Sequence, residues 1–320
     1  MRVSSYLHSF KLSKPFVISR GWKTHAEVLR VEITEGGYLG RGEGVPYARY
    51  GDSSDLALRQ IASLPESFDR ESLLDLLPPG STRNAVDAAL WDLEAKQTGK
   101  SIATIAGMAA LSHLPMGYTI SLASKEAMIA DAREHSEQEL IKIKLGSEHD
   151  REALVGIRSA APNARLIVDV NEGWNLSTLK MMLPVLEEVG VELLEQPMPA
   201  ESDFQLGEIT TAIPICADES NHPGRDIADL AINFSFVNVK LDKAGGLTAA
   251  IEQIARAREV GLGVMVGCMV SSSLGIAPAF IAAQLADYSD LDGFLTIEDD
   301  EQPRMLVSSG KLSLPTGLWA

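Results

Sequence analysis

Leu140–Asp169 reads LIKIKLGSEHDREALVGIRSAAPNARLIVD, and its two ends have the same character. Each end is a run of β-formers closed by a charged residue, Lys144 at one and Asp169 at the other. Between them, Asp150–Ala160 spaces its apolar residues as a helix does. Strand, helix and strand of one polarity predict a parallel crossover. The unit repeats outward in both directions. Short β-rich segments recur at Gly117–Ser121, Val191–Glu195, Pro214–Asp218, Phe236–Lys240, Leu262–Gly267 and Leu291–Leu295. Helical stretches such as Lys125–His135, Asn175–Val189 and Thr248–Val260 lie between most of them. Comparable positions sit about 22 to 27 residues apart. Eight such strands predict a closed α/β barrel whose eighth helix is reduced or absent. An open doubly wound sheet is the alternative, but no G-x-G-x-x-G turn follows an early strand.

The first ~110 residues are of another kind. Ala26–Thr34 and Tyr38–Glu43 are rich in strand formers and flank Glu35-Gly36-Gly37, a hairpin signal. Asp55–Leu64 and Arg83–Lys96 read as helices. The second shows an apolar face of Ala85, Ala88, Ala89 and Leu93, and Thr98-Gly99 stops it. Gly261–Ala286 carries no charge and is long enough to span a bilayer. Its four glycines, three serines and Pro278 instead predict a buried strand, a loop and a core helix. The 320 residues are 45% hydrophobic and 22% charged, as in globular proteins. The net charge of −16 repels phosphate backbones, so neither nucleic acid nor membrane is expected as a partner. Two cysteines, Cys216 and Cys268, build no disulfide framework, and no signal peptide is read in MRVSSYLHSF; both point to the cytoplasm.

In a barrel strand alternate residues point inward, and chemistry gathers at the C-terminal ends. Ile141-Lys142-Ile143-Lys144 therefore turns both lysines inward. Such a pair is costly unless used, since burial and like charge disfavour both cations. The next three strands each end in a carboxylate: Asp169 in LIVDVNE, Glu195 in LLEQP and Asp218 in ICADES. Three converging acids repel unless a divalent cation relieves them, and an all-oxygen set suits Mg²⁺. Lys240 closes Phe236–Lys240 with inward parity, four strands after Lys144, so the two lysines face each other across the ring. Lys243 falls beyond the strand and reads as a loop residue. A metal on a substrate carboxylate stabilises an enolate, and a lysine on either face can remove or return the α-proton. Free lysine titrates near ~10.4, and a base works best near ~7–8, so the site must disfavour the cation by ~4 kcal/mol. Cys216 and Cys268 read as packing residues, His222 as a structural group, and Ser271–Ser273 as a polar stretch lining the pocket, with Ser271 contacting substrate oxygens.

Taken together, the K-x-K of Lys142–Lys144, D-x-N of Asp169–Asn171, E-Q-P of Glu195–Pro197, D-E-S of Asp218–Ser220 and K-x-D-K-x-G-G of Lys240–Gly246 resemble the enolase superfamily. There a lysine or histidine base works beside Mg²⁺. The lysine pair resembles the muconate-lactonizing-enzyme subgroup. Gly267-Cys268-Met269, where the mandelate-racemase subgroup needs a histidine, argues against that alternative. Within the subgroup the chain is similar to the L-Ala-D/L-Glu dipeptide epimerases.

The resemblance implies a (β/α)7β modified TIM barrel, residues 114–296, under an α+β N-terminal capping domain, residues 1–113 completed by the tail 297–320. It implies one Mg²⁺ on Asp169, Glu195 and Asp218. Lys144 and Lys240 become the acid/base pair, and Lys142 an auxiliary cation near the enolate oxygens. Asp290-Leu291-Asp292, at the start of the eighth strand, resembles the family's D-x-D that holds a dipeptide's ammonium. Near Arg20-Gly21-Trp22-Lys23-Thr24 the family places an arginine that meets an acidic side chain. Lys23 aligns with it, keeping the charge without the bidentate fork, and Arg20 is the other candidate. The implied activity is inversion of the α-carbon of a dipeptide's C-terminal residue by two-lysine 1,1-proton transfer, in cell-wall peptide recycling. The alternatives on the same scaffold are o-succinylbenzoate synthesis, N-succinylamino-acid racemisation and cycloisomerisation. A homo-oligomer is compatible with the sequence.

Overall fold

The computed structural model describes residues 1–320. Its N-terminal part is a three-stranded antiparallel sheet of Arg2–Ile18, Gly21–Glu35 and Tyr38–Gly44, in sequence order. The hairpin before Tyr38 turns on Gly36 and Gly37, at φ 58° and 85°, where glycine carries no steric cost. A helix, Ser81–Thr98, lies directly on this sheet. Gly40, Gly42 and Gly44 occupy one face of the third strand. A Cβ there would stand 2.1, 2.0 and 2.2 Å from the carbonyl oxygens of Ala89, Ala85 and Ser81. The alternating glycines thus let helix backbone touch strand backbone.

The other side of that helix meets the second layer of the molecule. Arg83 donates to the carbonyls of Ala244 and Gly245, and Trp91 Nε1 to Thr248 Oγ1 at 2.9 Å. The helix is consequently buried all along Ser81–Leu93, and the expected Ala85/Ala88/Ala89/Leu93 face is one of several that it hides. The chain's end returns to it as well: Trp319 Nε1 donates to the Ala88 carbonyl at 3.1 Å.

That second layer is a barrel of eight parallel strands in sequence order: Gly117–Ile120, Leu140–Lys144, Arg165–Asp169, Val191–Glu195, Ile215–Ala217, Phe236–Lys240, Gly263–Gly267 and Tyr288–Asp290. The first and last strands come together without a ladder between them and nearly close the ring: Thr119 N donates to the Asp292 Oδ2 side chain just beyond the last strand at 2.8 Å, and a Cβ on Gly117 would lie 3.4 Å from the Ser289 carbonyl oxygen. The eighth strand corrects the expectation. It is Tyr288–Asp290, pairing Met265 with Tyr288 and Gly267 with Asp290, and Leu291–Leu295 is irregular chain beyond it. Asp292-Gly293 turns the chain there, so Leu291 and Phe294 are buried from a turn rather than from a strand. Asp290 and Asp292 therefore sit at the C-terminal end of the eighth strand, the end where barrels carry their chemistry.

The uncharged stretch forms a strand, a loop and the buried helix Ser273–Ala283. At 11 residues that helix is about 16 Å long, far short of a hydrocarbon core, and no helix is long and apolar enough to cross a membrane. A hydrophobic cluster fills the space between barrel strands and outer helices, and Ile141, Ile143, Val168, Leu194, Val237 and Val239 belong to it. Residues of the opposite parity point into the ring.

Candidate active site

Inside the barrel the inward side chains change character along the axis. The lower layer is apolar: Leu140, Ile167, Leu193, Cys216 and Met265 form one buried cluster. Two residues further along the same strands stand Lys142, Asp169, Glu195, Asp218 and Gly267, with Lys144 and Lys240 at the strand ends. Parity alone turns these charges inward, and the apolar floor keeps water from them.

The three acids converge. One carboxylate oxygen from each of Asp169, Glu195 and Asp218 lies within 4.8 Å of the other two, and all three residues are buried. The lysines bracket them. Lys142 Nζ stands 2.9 Å from Asp169 Oδ2, 2.6 Å from Glu195 Oε2 and 2.6 Å from Asp290 Oδ2. Lys144 Nζ donates to Asp169 Oδ2 at 2.6 Å, and Lys240 Nζ to Asp218 Oδ2 at 2.7 Å. Lys144 and Lys240 are on the second and sixth of eight strands, hence on opposite walls.

Lys243 corrects the sequence reading. It lies on the short helix Leu241–Ala244, is 3% exposed, and donates to Asp218 Oδ1 at 2.7 Å and to the Asp218 carbonyl at 2.6 Å. Asn238, with the same inward parity as Lys240, donates to Glu195 Oε1 at 2.7 Å. Its parity was readable; its partner was not.

The electrostatics separate the acids. Burial raises all three, but Lys142 and Lys144 outweigh it at Asp169, and Lys240 and Lys243 outweigh it at Asp218, so both carboxyls are held well below the usual range. Burial, then the Asp169 charge, pushes Glu195 up to about 8. Burial works against charge on Lys142 and Lys240 too, yet the facing carboxylates win and hold both as cations. Three crowded, buried carboxylates with no His or Cys among them fit a hard divalent cation, which offsets the repulsion that the lysines offset only in part.

Above the acids opens a cavity of ≈ 460 Å³. Asp290 and Asp292 line it. Lys142 takes Asp290 Oδ2, while the buried Asp290 Oδ1 has no hydrogen-bond partner. Burial and Asp290 push Asp292 up to about 6. The loop between the first two strands of the N-terminal sheet closes the opposite side. Its Arg20 is already committed: Nη1 meets Glu219 Oε1 at 2.6 Å, the Asn171 carbonyl at 2.7 Å and Glu172 Oε2 at 3.1 Å. Lys23 has no carboxylate partner. Its Nζ stands 5.8 Å from the Phe16 ring centre, and Lys144 Nζ stands 5.9 Å from the same ring. Burial lowers Lys23 to about 8.

Ser271 is a correction. It is buried but is not among the residues lining the cavity. The serine run serves the start of helix Ser273–Ala283: Ser272 donates through N and Oγ to Glu43, and Ser273 donates to Asp300. His222 is solvent-exposed and bonds the Pro223 carbonyl. Phe16 and Tyr50, both from the N-terminal part, line the cavity and were not singled out from sequence. No local pattern marks a side chain that reaches a site more than a hundred residues away.

Residues 3–107 match the family Mandelate racemase / muconate lactonizing enzyme, N-terminal domain, and residues 126–318 match Enolase C-terminal domain-like. The chain is 37% identical over 318 residues to the L-Ala-D/L-Glu epimerase of Escherichia coli (strain K12), covering 98% of this chain and 99% of that one. It is 38% identical over 296 residues to an N-acetyl-D-glutamate racemase of Pseudoalteromonas sp, covering 90% and 94%. An enolase family member from Agrobacterium tumefaciens with homology to dipeptide epimerases, crystallised with sodium and L-Ala-L-Glu, superposes with a TM-score of 0.96 at 40% identity over 99% of both chains. A dipeptide epimerase from Methylococcus capsulatus complexed with Mg and L-Arg-D-Lys superposes with a TM-score of 0.89 at 30% identity, over 99% of this chain and 98% of that one.

Proposed function

The chain belongs to the enolase superfamily, and we propose that within it this protein is a Mg²⁺-dependent dipeptide epimerase, inverting the α-carbon of the C-terminal residue of L-Ala-D/L-Glu. One observation carries the reading: two buried lysines stand on opposite walls, each bonded to an acid at one end of a three-carboxylate cluster. Asp169, Glu195 and Asp218 would hold the metal. Bound there, Mg²⁺ would supply positive charge that favours loss of the α-proton.

The rest is done by the chain's own groups. The substrate α-carbon lies between Lys144 and Lys240; one takes the proton from its face and the other delivers a proton to the opposite face. Lys142 adds a third cation beside the carboxylate oxygens that gain charge. Asp290 Oδ1, a buried acceptor lacking a donor, and Asp292 receive the free ammonium. Lys23, without a carboxylate partner and near the same Phe16 ring as Lys144, meets the second residue's carboxylate. Arg20 instead fastens its loop to Glu172 and Glu219. Residues 1–113 with the tail 297–320 act as the cap and 114–296 as the catalytic barrel. The process served is recycling of cell-wall peptide in the cytoplasm.

Incubating L-Ala-L-Glu with enzyme and Mg²⁺ in heavy water tests this. Epimerisation with α-deuterium incorporation is expected, and no exchange with any dipeptide would refute it. The Pseudoalteromonas relative favours a second reading, racemisation of an N-acylated amino acid. Such a substrate has no ammonium. Asp292→Asn should cripple dipeptide turnover by about tenfold or more, and an unaffected variant would favour the acylated substrate.

A further inference from the structure

Six cationic side chains line the cavity: Lys14, Arg20, Lys23, Lys142, Lys144 and Lys240. Four are committed to carboxylates of the chain. The second residue's acid accounts for Lys23, which leaves Lys14. Its place is set by backbone pairing. Ser13 N donates to the Thr296 carbonyl at 2.8 Å, Glu298 N to the Lys11 carbonyl at 3.1 Å, and Leu12 bridges Ile297. This short ladder begins four residues beyond Asp292, so the chain leading into Lys14 runs next to the segment that follows the acid pair.

Lys14 Nζ stands 3.4 Å from Tyr118 Oη and 5.7 Å from its ring centre. Tyr118 is itself fixed: it donates to Asp131 Oδ1 at 2.8 Å and stacks on His135 with ring centres 3.8 Å apart. The next residue is Thr119, whose N–H holds Asp292. Lys14 thus has one long contact and spare donors. Thr296 Oγ1, also in the cavity lining, is buried without a hydrogen-bond partner. A cation with free donors and a hydroxyl with none engaged, beside the acids that anchor an ammonium, suit a carboxylate two or three bonds from that ammonium.

We propose that Lys14 and Thr296 form a second subsite for an anionic side chain, so that the protein's substrate range extends from L-Ala-D/L-Glu to dipeptides acidic at both residues, of the L-Asp-L-Glu type. This rests on the dipeptide reading above. The first residue's ammonium engages Asp290 and Asp292, and its side-chain carboxylate meets Lys14.

The test compares L-Asp-L-Glu with the isosteric neutral L-Asn-L-Glu, and with L-Ala-L-Glu as reference, by kcat/KM for α-deuterium exchange in heavy water. The unaltered enzyme should favour Asp over Asn by about fivefold to tenfold, the size of a charge-assisted contact at a partly exposed site. Lys14→Met should bring that ratio close to one, and Lys14→Glu should carry it below one. Lys14 is exposed on a strand, so both variants should fold. A ratio within about twofold of one in the unaltered enzyme, or a preference that survives Lys14→Met, overturns the subsite while L-Ala-L-Glu exchange leaves the epimerase reading standing. If no dipeptide exchanges at all, both fall together.

Discussion

Replacing Lys240 by alanine removes one of two amines and leaves the scaffold a way to tolerate the loss. Asp218 accepts from Lys240 on Oδ2 and from Lys243 on Oδ1, each at 2.7 Å. The buried carboxylate therefore keeps a partner in the variant. Stability should fall by about 1–3 kcal/mol, below the ~3–5 kcal/mol typical of an orphaned buried charge. The mirror variant, Lys144→Ala, is similarly buffered, because Asp169 keeps Lys142 at 2.9 Å. Chemistry should suffer far more. A positioned general acid or base contributes about 10²–10⁴ in rate, or about 3–5 kcal/mol of barrier, and epimerisation needs one on each face. Each variant should lose epimerisation by at least about 10² while still washing deuterium into one isomer. The isomer should differ between the two variants. Proton NMR of L-Ala-L-Glu and L-Ala-D-Glu in heavy water, with Mg²⁺, reads all four combinations. Retained epimerisation in either variant, or exchange surviving with the same isomer in both, would refute the opposed-lysine geometry.

Chelation should abolish exchange, and Mg²⁺ at about 100 times its Kd should restore it and stabilise the fold by about 2.7 kcal/mol in thermal or denaturant melts; full activity in excess chelator would contradict the metal assignment. Lys23, lowered by burial to about 8, is a cation below that pH and neutral above it. Preference for L-Ala-L-Glu over L-Ala-L-Gln should be strong at pH 7, fade above pH ~8, and be flat across pH in Lys23→Met; a pH-independent preference in the parent would count against Lys23. Asp242 accepts from Val45 N and Asn84 Nδ2, both at 2.8 Å, and burial pushes it up to about 7. The folded state thus binds a proton that the unfolded state releases near pH ~4, and stability from this group declines as pH rises from ~4 to ~7. Asp242→Asn keeps the acceptor and drops the charge. It should match the parent near pH 4 and exceed it at pH 8, by at most ~4 kcal/mol, in urea titrations; a gap that shrinks toward pH 8 would be the wrong sign.

Much of the site was legible because its rules are local. Period-two alternation in LIKIK decides that Lys142 and Lys144 share a face, and a strand-helix repeat of about 25 residues decides that Asp169, Glu195 and Asp218 end neighbouring strands. The start of the chain was less legible. Arg2–Ile18 is one long strand at the sheet edge, mostly exposed, so it shows no buried stripe to betray it. Leu291–Leu295 looked like a strand because its apolar residues are buried, and burial from a turn leaves the same composition.

Sequence by itself determined which residue types would line the ring and in what order, since a parallel barrel converts chain order into angular position. Only the tertiary structure decided what each side chain holds. Arg20 pairs with Glu219, which the fold sets beside it from 199 positions along the chain. Ser272 could have faced the cavity, but Glu43 reaches it from 229 positions away. Lys243 reads as a loop residue and is instead locked on Asp218. A charged group's role is set by the nearest opposite charge in space, and that neighbour is supplied by chain closure rather than by any pattern within reach along the sequence.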